Sequence, residues 1–124
     1  MQHIRIPPKG SIVNIASLAG VSGLRHFGAY RAAGHGVVEI TKTMGLDYPS
    51  VKCNAVFPSY IKTPLASAPR EMRTNALEKI NNWVPMKRFR LPEEVAEANV
   101  WLLGHRSNFG HGSCLTLDGG YLAH

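Results

Sequence analysis

Three short runs rich in β-branched and apolar residues, Ser11 to Ala16 (SIVNIA), Val51 to Phe57 (VKCNAVF) and Ser113 to Leu117 (SCLTL), are separated by stretches long enough to hold helices. Short, nearly uncharged runs of this kind fit strands buried on both faces, the pattern of a parallel sheet. Parallel neighbours need crossovers, and helices between strands supply right-handed ones. The spacing predicts an α/β architecture of about three strands in a single domain over residues 1–124. In open sheets of this class ligands collect beyond the carboxyl ends of the strands. Ser17, the Pro58 to Thr63 segment and Asp118 to Gly120 fall at those ends.

The connecting segments have their own signals. A loop from Ser17 to Gly28 carries Gly20, Gly23 and Gly28, and a helix is expected from Ala29 to about Leu46, ended by Tyr48-Pro49-Ser50. Apolar positions Ala33, Val37, Ile40 and Met44, three or four apart, are its expected inner face. Thr63-Pro64 through Val84 reads as irregular to helical, most helical over Arg70 to Asn81, with Trp83 anchoring the return. Pro92-Glu93-Glu94 starts a further helix, proline in its first turn and acids at the positive end of its dipole, with Val95, Ala98, Trp101 and Leu102 turned inward.

Bulk properties narrow the function. The formal net charge is +6 over 124 residues, but the basic residues are dispersed and no nucleic-acid motif accompanies them. No apolar run approaches the ~20 residues of a membrane span, and MQHIRIPPKG lacks the apolar core of a signal peptide, so a cytoplasmic protein is expected. Cys53 and Cys114 sit in strand runs and read as small buried hydrophobes. His105 and His111 have no partner ligands at metal-binding spacing; the six histidines read as surface residues and no metal site is expected.

Four segments carry chemistry or its scaffold: Ser17 after the first strand; Tyr30 to Lys42 (YRAAGHGVVEITK), whose tyrosine lies thirteen residues later; VKCNAVFPSYIKTPL, Val51 to Leu65; and the pair RFRLPEEVAEANVWLLG and CLTLDGGYLAH. In this order they resemble the second half of a short-chain dehydrogenase/reductase, a family with a Rossmann-like doubly wound sheet that moves hydride between NAD or NADP and a carbonyl or alcohol. The resemblance runs from Gly10 to about Tyr121. It implies that Tyr30 is the acid/base at the substrate oxygen and also meets the cofactor, that Ser17 hydrogen-bonds that oxygen, and that Pro58, Ile61 and Thr63 lie beside the nicotinamide. Asn54 fits the same pattern, whereas Ser59 stands where the family has glycine.

Two departures qualify what the resemblance implies. The family's lysine, four residues after the tyrosine, lowers the phenol's pKa from its ordinary value of about 10 and binds the nicotinamide ribose; here that position is Gly34. Arg31 and His35 are turned ~100° from Tyr30 and Gly34 respectively and do not point where the lysine would, so the alternatives for a replacement are Arg25, His26 or a cation from another chain. The glycine-rich turn that cradles the pyrophosphate, with the rest of the dinucleotide-binding half, is not in the sequence. The expectation is an NAD(P)-dependent oxidoreductase of small carbonyls or alcohols that is truncated and impaired alone. The open edge of its first strand would favour a homo-oligomer. The alternatives are a non-catalytic module pairing with a full-length dehydrogenase subunit, or a fragment of one. Neither nucleic acid nor membrane is expected as a partner.

Overall fold

The computed structural model describes residues 10–22, 26–63 and 70–123, with residues 70–75 described by their backbone alone. Gly23 and Arg25, named above for the loop and as a cation that could replace the lysine, and Leu65, the end of the third segment, lie outside the described residues.

Strands β1 (Ser11–Ile15), β2 (Lys52–Pro58) and β3 (Cys114–Leu117) form one parallel sheet in the order β1-β2-β3. The register pairs Ile12 with Cys53 and Ile15 with Val56 on one side of β2, and Val56 with Leu115 on the other. Helix α1 (Gly28–Asp47) crosses from β1 to β2; α2 (Arg70–Trp83) and α3 (Pro92–Leu103) connect β2 to β3. The α/β, Rossmann-like expectation holds.

The central strand carries the core. Val56, Ala55 and Phe57 are fully buried, and alternate residues of β2 feed two apolar clusters. Val38 of α1 packs with Ala55 and Phe57, while Val95 and Leu102 of α3 pack with Val56. Helices therefore cover both faces of the sheet. Strand β1 is different: among the described residues it pairs only with β2, none of its residues is fully buried, and Ile15 is 66% exposed. The expectation that both its faces are buried fails because it is an edge strand.

Two helix faces and one anchor also differ from expectation. The buried stripe of α1 is Val38, Thr41 and Gly45, in line with half-buried Gly34, whereas Ala33 and Ile40 face solvent. Small residues, rather than the most apolar ones, mark where this helix lies closest to its neighbours. Val95 and Leu102 do turn inward on α3, but Trp101 is largely exposed. At the end of α2 the anchors are Ile80 and Val84, with Trp83 more than half exposed.

His111 is a further correction. Its Nδ1 accepts the Cys53 N–H at 3.3 Å, so the ring proton sits on Nε2 and is donated to the Gly45 carbonyl at 2.5 Å. This histidine ties β2 to α1 rather than lying on the surface. Asn54, completely buried, donates to Gly110 O at 2.9 Å and accepts from Ser113 N at 3.0 Å, stitching the approach to β3 onto β2. Burying an amide at no exposure is affordable only when its hydrogen bonds are made.

Candidate active site

The carboxyl ends of β1 and β2 open onto a cavity of about 180 Å³ with a mainly apolar lining. Ser17, Tyr30 and Pro58 all border it, together with Phe27, Tyr60 and Tyr121. Three of the five residues singled out from the sequence thus share one space.

Each arrives there by a local route. Beyond β1 the chain turns into a 3-10 turn, Leu18–Gly20, whose N-cap is Ser17. The Ser17 hydroxyl oxygen accepts the Ala19 N–H at 3.3 Å. Accepting with a lone pair leaves the hydroxyl's own proton free to donate into the cavity. Tyr30 lies in the first turn of α1 and is 57% exposed. Pro58 ends β2, paired with Leu117, and the next residue, Ser59, donates its N–H to Leu117 O at 3.1 Å.

Ile61 and Thr63 follow just past the cavity. Ile61 forms a parallel bridge with Arg90, made by Lys62 N to Arg90 O and Arg90 N to Tyr60 O, each 2.9 Å. In that pattern the flanking residues make the bonds, and Ile61's own amide and carbonyl point to the opposite side. Its side chain packs on the Val56, Val95 and Leu102 cluster.

Tyr60 and Tyr121 carry no local sequence signal for a site. Burial pushes the Tyr60 phenol up, and the neighbouring Tyr121 adds to the effect, so Tyr60 stays a neutral donor. Tyr121 reaches the cavity because Gly119 and Gly120 turn with φ of +62° and +92°, backbone that glycine adopts at little cost. Asp118 holds that turn, its carboxylate accepting from Gly120 N at 3.0 Å and Leu122 N at 2.9 Å. The Asp-Gly-Gly motif is thus structural, and it also delivers a wall of the site.

Gly34, one turn after Tyr30, does not open a gap where a lysine would be. A Cβ built on Gly34 would lie 2.9 Å from Gly20 Cα and 3.0 Å from Gly20 N. Arg31 bears one guanidinium nitrogen, Nη1, that is buried and has no hydrogen-bond partner among the described residues. Among the described residues no group of three or more His, Cys, Asp or Glu could hold a metal, and no helix is long and apolar enough to cross a membrane.

Comparison with known proteins agrees with this geometry. A family model described as Enoyl-(Acyl carrier protein) reductase matches residues 2–122. A 2,5-dichloro-2,5-cyclohexadiene-1,4-diol dehydrogenase of Sphingobium indicum is 40% identical over 117 residues, 93% of this chain and 47% of the relative. A cyclohexanol dehydrogenase of an Acinetobacter species is 40% identical over 114 residues, 90% of this chain and 43% of the relative. Among solved structures, a protein of Beutenbergia cavernae assigned as an NAD(P)-dependent gluconate 5-dehydrogenase, with NADP bound, superposes with a TM-score of 0.86 at 33% identity, over 94% of this chain and 47% of that one. The chain spans about half the length of the relatives it matches. With the strand order, the serine and tyrosine on one cavity and these relatives in agreement, the chain belongs to the short-chain dehydrogenase/reductase family.

Proposed function

We propose that this chain forms the substrate side and nicotinamide side of an NAD(P)-dependent oxidoreductase acting on a small alicyclic alcohol or its ketone. The observation that carries this reading is the shared cavity: Ser17 and Tyr30 border one mainly apolar space of about 180 Å³. A cavity of ~150 Å³ holds a benzene molecule, so the space suits a single six-membered ring. Two relatives that are 40% identical are dehydrogenases of six-membered-ring alcohols.

In this reading the Ser17 hydroxyl donates to the substrate oxygen, fixing its position and stabilising charge that develops there. Tyr30 exchanges a proton with the same oxygen as acid or base. Phe27 and Tyr60 line the cavity and keep water from the reacting carbon. The residues present fit the nicotinamide end of the cofactor, since Ile61 turns its amide and carbonyl away from Arg90, beside Pro58 and Thr63. NAD(P), when bound, takes or supplies the hydride. Gly34 brings no charge to Tyr30, so proton exchange there is slower than in a site with a lysine at that position. A cytoplasmic location accompanies this reading.

Titration of the 124-residue protein with cyclohexanol, followed by NMR, tests the proposal. Shifts confined to the Ser17 turn, Tyr30, Tyr60 and Tyr121 are expected, with no oxidation on adding NAD or NADP. Shifts elsewhere would remove the substrate assignment, and micromolar NADPH affinity with ketone reduction would remove the impairment.

A second reading, pairing with another copy or with a related dehydrogenase subunit, is favoured by β1, which among the described residues pairs only with β2, and by the exposed Ile15. Co-purification with such a subunit supports it; a monomer at all concentrations with slowly exchanging β1 amides opposes it.

A further inference from the structure

We propose that Gly20 and Gly34 are a positioning pair that sets Ser17 and Tyr30 against each other across the cavity, an inference resting on the assignment of those two residues to the substrate oxygen. The contact is reciprocal and made by main chain on both sides. A Cβ on Gly34 would meet Gly20 Cα at 2.9 Å and Gly20 N at 3.0 Å; a Cβ on Gly20 would meet Gly34 O at 2.8 Å and Gly34 C at 3.0 Å. Atoms this close do not tolerate a methyl group, and neither neighbour is a flexible side chain that could swing aside.

Position in the fold turns this packing contact into a device for the site. Gly20 closes the 3-10 turn capped by Ser17, and its N–H donates to Ser17 O at 2.8 Å. Gly34 is one helical turn from Tyr30, on the same helix. The third neighbour of a Gly20 Cβ is Phe57 Cε1, at 3.1 Å; Phe57 is fully buried and immediately precedes Pro58, Ser59 and Tyr60, which border the cavity. Three of the elements that wall the cavity therefore meet at one glycine. Any side chain at 34 pushes the serine turn away from the tyrosine helix by a few tenths of an ångström or more, and in a site a misplacement of about 1 Å can cost ~10²-fold in rate. Gly34 is accordingly more than the loss of a lysine. With the serine turn seated as it is, the position has no room for one.

The test compares Gly34→Ala with Gly36→Ala, a glycine of the same helix whose Cβ would have nothing within 4 Å. In Gly34→Ala, hydrogen exchange at the Ala19 and Gly20 amides, which bond to Ser17, should speed at least ~10-fold relative to the Ala55 amide of β2, and cyclohexanol affinity of the folded protein should fall by a similar factor. Gly36→Ala should change neither. Uniform acceleration of all amides, or unchanged exchange at Ala19 and Gly20, would reduce the pair to ordinary packing and overturn the inference. Failure of the wild-type protein to bind cyclohexanol would sink the substrate assignment alone, because the exchange comparison still decides the positioning. Should Gly34→Ala not fold, the wild-type protein decides: a Gly20–Gly34 α-proton nuclear Overhauser effect is expected, and its absence would refute the contact.

Discussion

Helix α1 meets the rest of the protein closely at both ends, in two different ways. At its carboxyl end, Gly45 lies against Gly112, and His111 bonds both the Gly45 carbonyl and the Cys53 N–H. Buried Asn54 satisfies both ends of its amide close by. At its amino end, Gly34 touches the Gly20 main chain, while the Ser17 hydroxyl and Tyr30 border a cavity. One end spends its polar groups on holding the fold. The other turns the Ser17 hydroxyl and Tyr30 to a cavity, at the strand ends where an α/β sheet places its ligands.

That contrast can be broken most forcefully at the cavity end. Gly34→Lys should destabilise the protein by about 3 kcal/mol through overpacking against Gly20 and lower the melting temperature by roughly 10 °C. It should not create ketone reduction; a stable, active Gly34→Lys protein would show that the serine turn yields freely. At the sealed end, His111→Ala leaves the Cys53 N–H unpaired and should cost about 2 kcal/mol in thermal or urea unfolding. Cyclohexanol binding by the folded variant should be unchanged, which sharpens the division between the two ends.

A smaller effect of opposite sign is expected midway. Gly36→Ala should stabilise by about 0.5–1 kcal/mol, since the helix gains from alanine and the added methyl meets nothing. The smallest effect lies away from α1. Arg88 grips Glu94 through two bonds of 2.7 and 2.9 Å, and together with the Leu91 N–H this holds the Glu94 carboxyl down at about 2. A lowered acid contributes stability above the usual carboxylate range and loses it as pH falls toward the folded value. The melting temperature of wild type should therefore exceed that of Glu94→Gln slightly at pH 7, and the gap should close between about pH 4.5 and pH 2. A gap that persists at pH 2 would assign the difference to packing.

The parts of this organisation that were legible in the sequence are those with local causes. Three β-branched runs announced the strands, Pro92 and its acids announced α3, and Ser17 with Tyr30 pointed to the cavity. The buried face of α1 was misread because hydrophobic periodicity weights Ala33 and Ile40, whereas closeness of approach selects Gly34, Thr41 and Gly45. His111 was misread because its partners, Gly45 and Cys53, are more than fifty residues away in sequence. Tyr60 and Tyr121 were missed for a similar reason: only the β2 terminus and the Asp118 turn bring them to one cavity.

The account's central claim is that Ser17 and Tyr30 act on one bound ring, and the most direct measurement is cyclohexanol titration of the wild-type protein beside Ser17→Ala and Tyr30→Phe, read by amide and aromatic shifts. The expected result is a saturable site whose shifts map to the Ser17 turn, Tyr30, Tyr60 and Tyr121, with affinity reduced in each variant while the fold is kept. Saturable binding of equal strength in all three proteins, or shifts that map away from these residues, would contradict it.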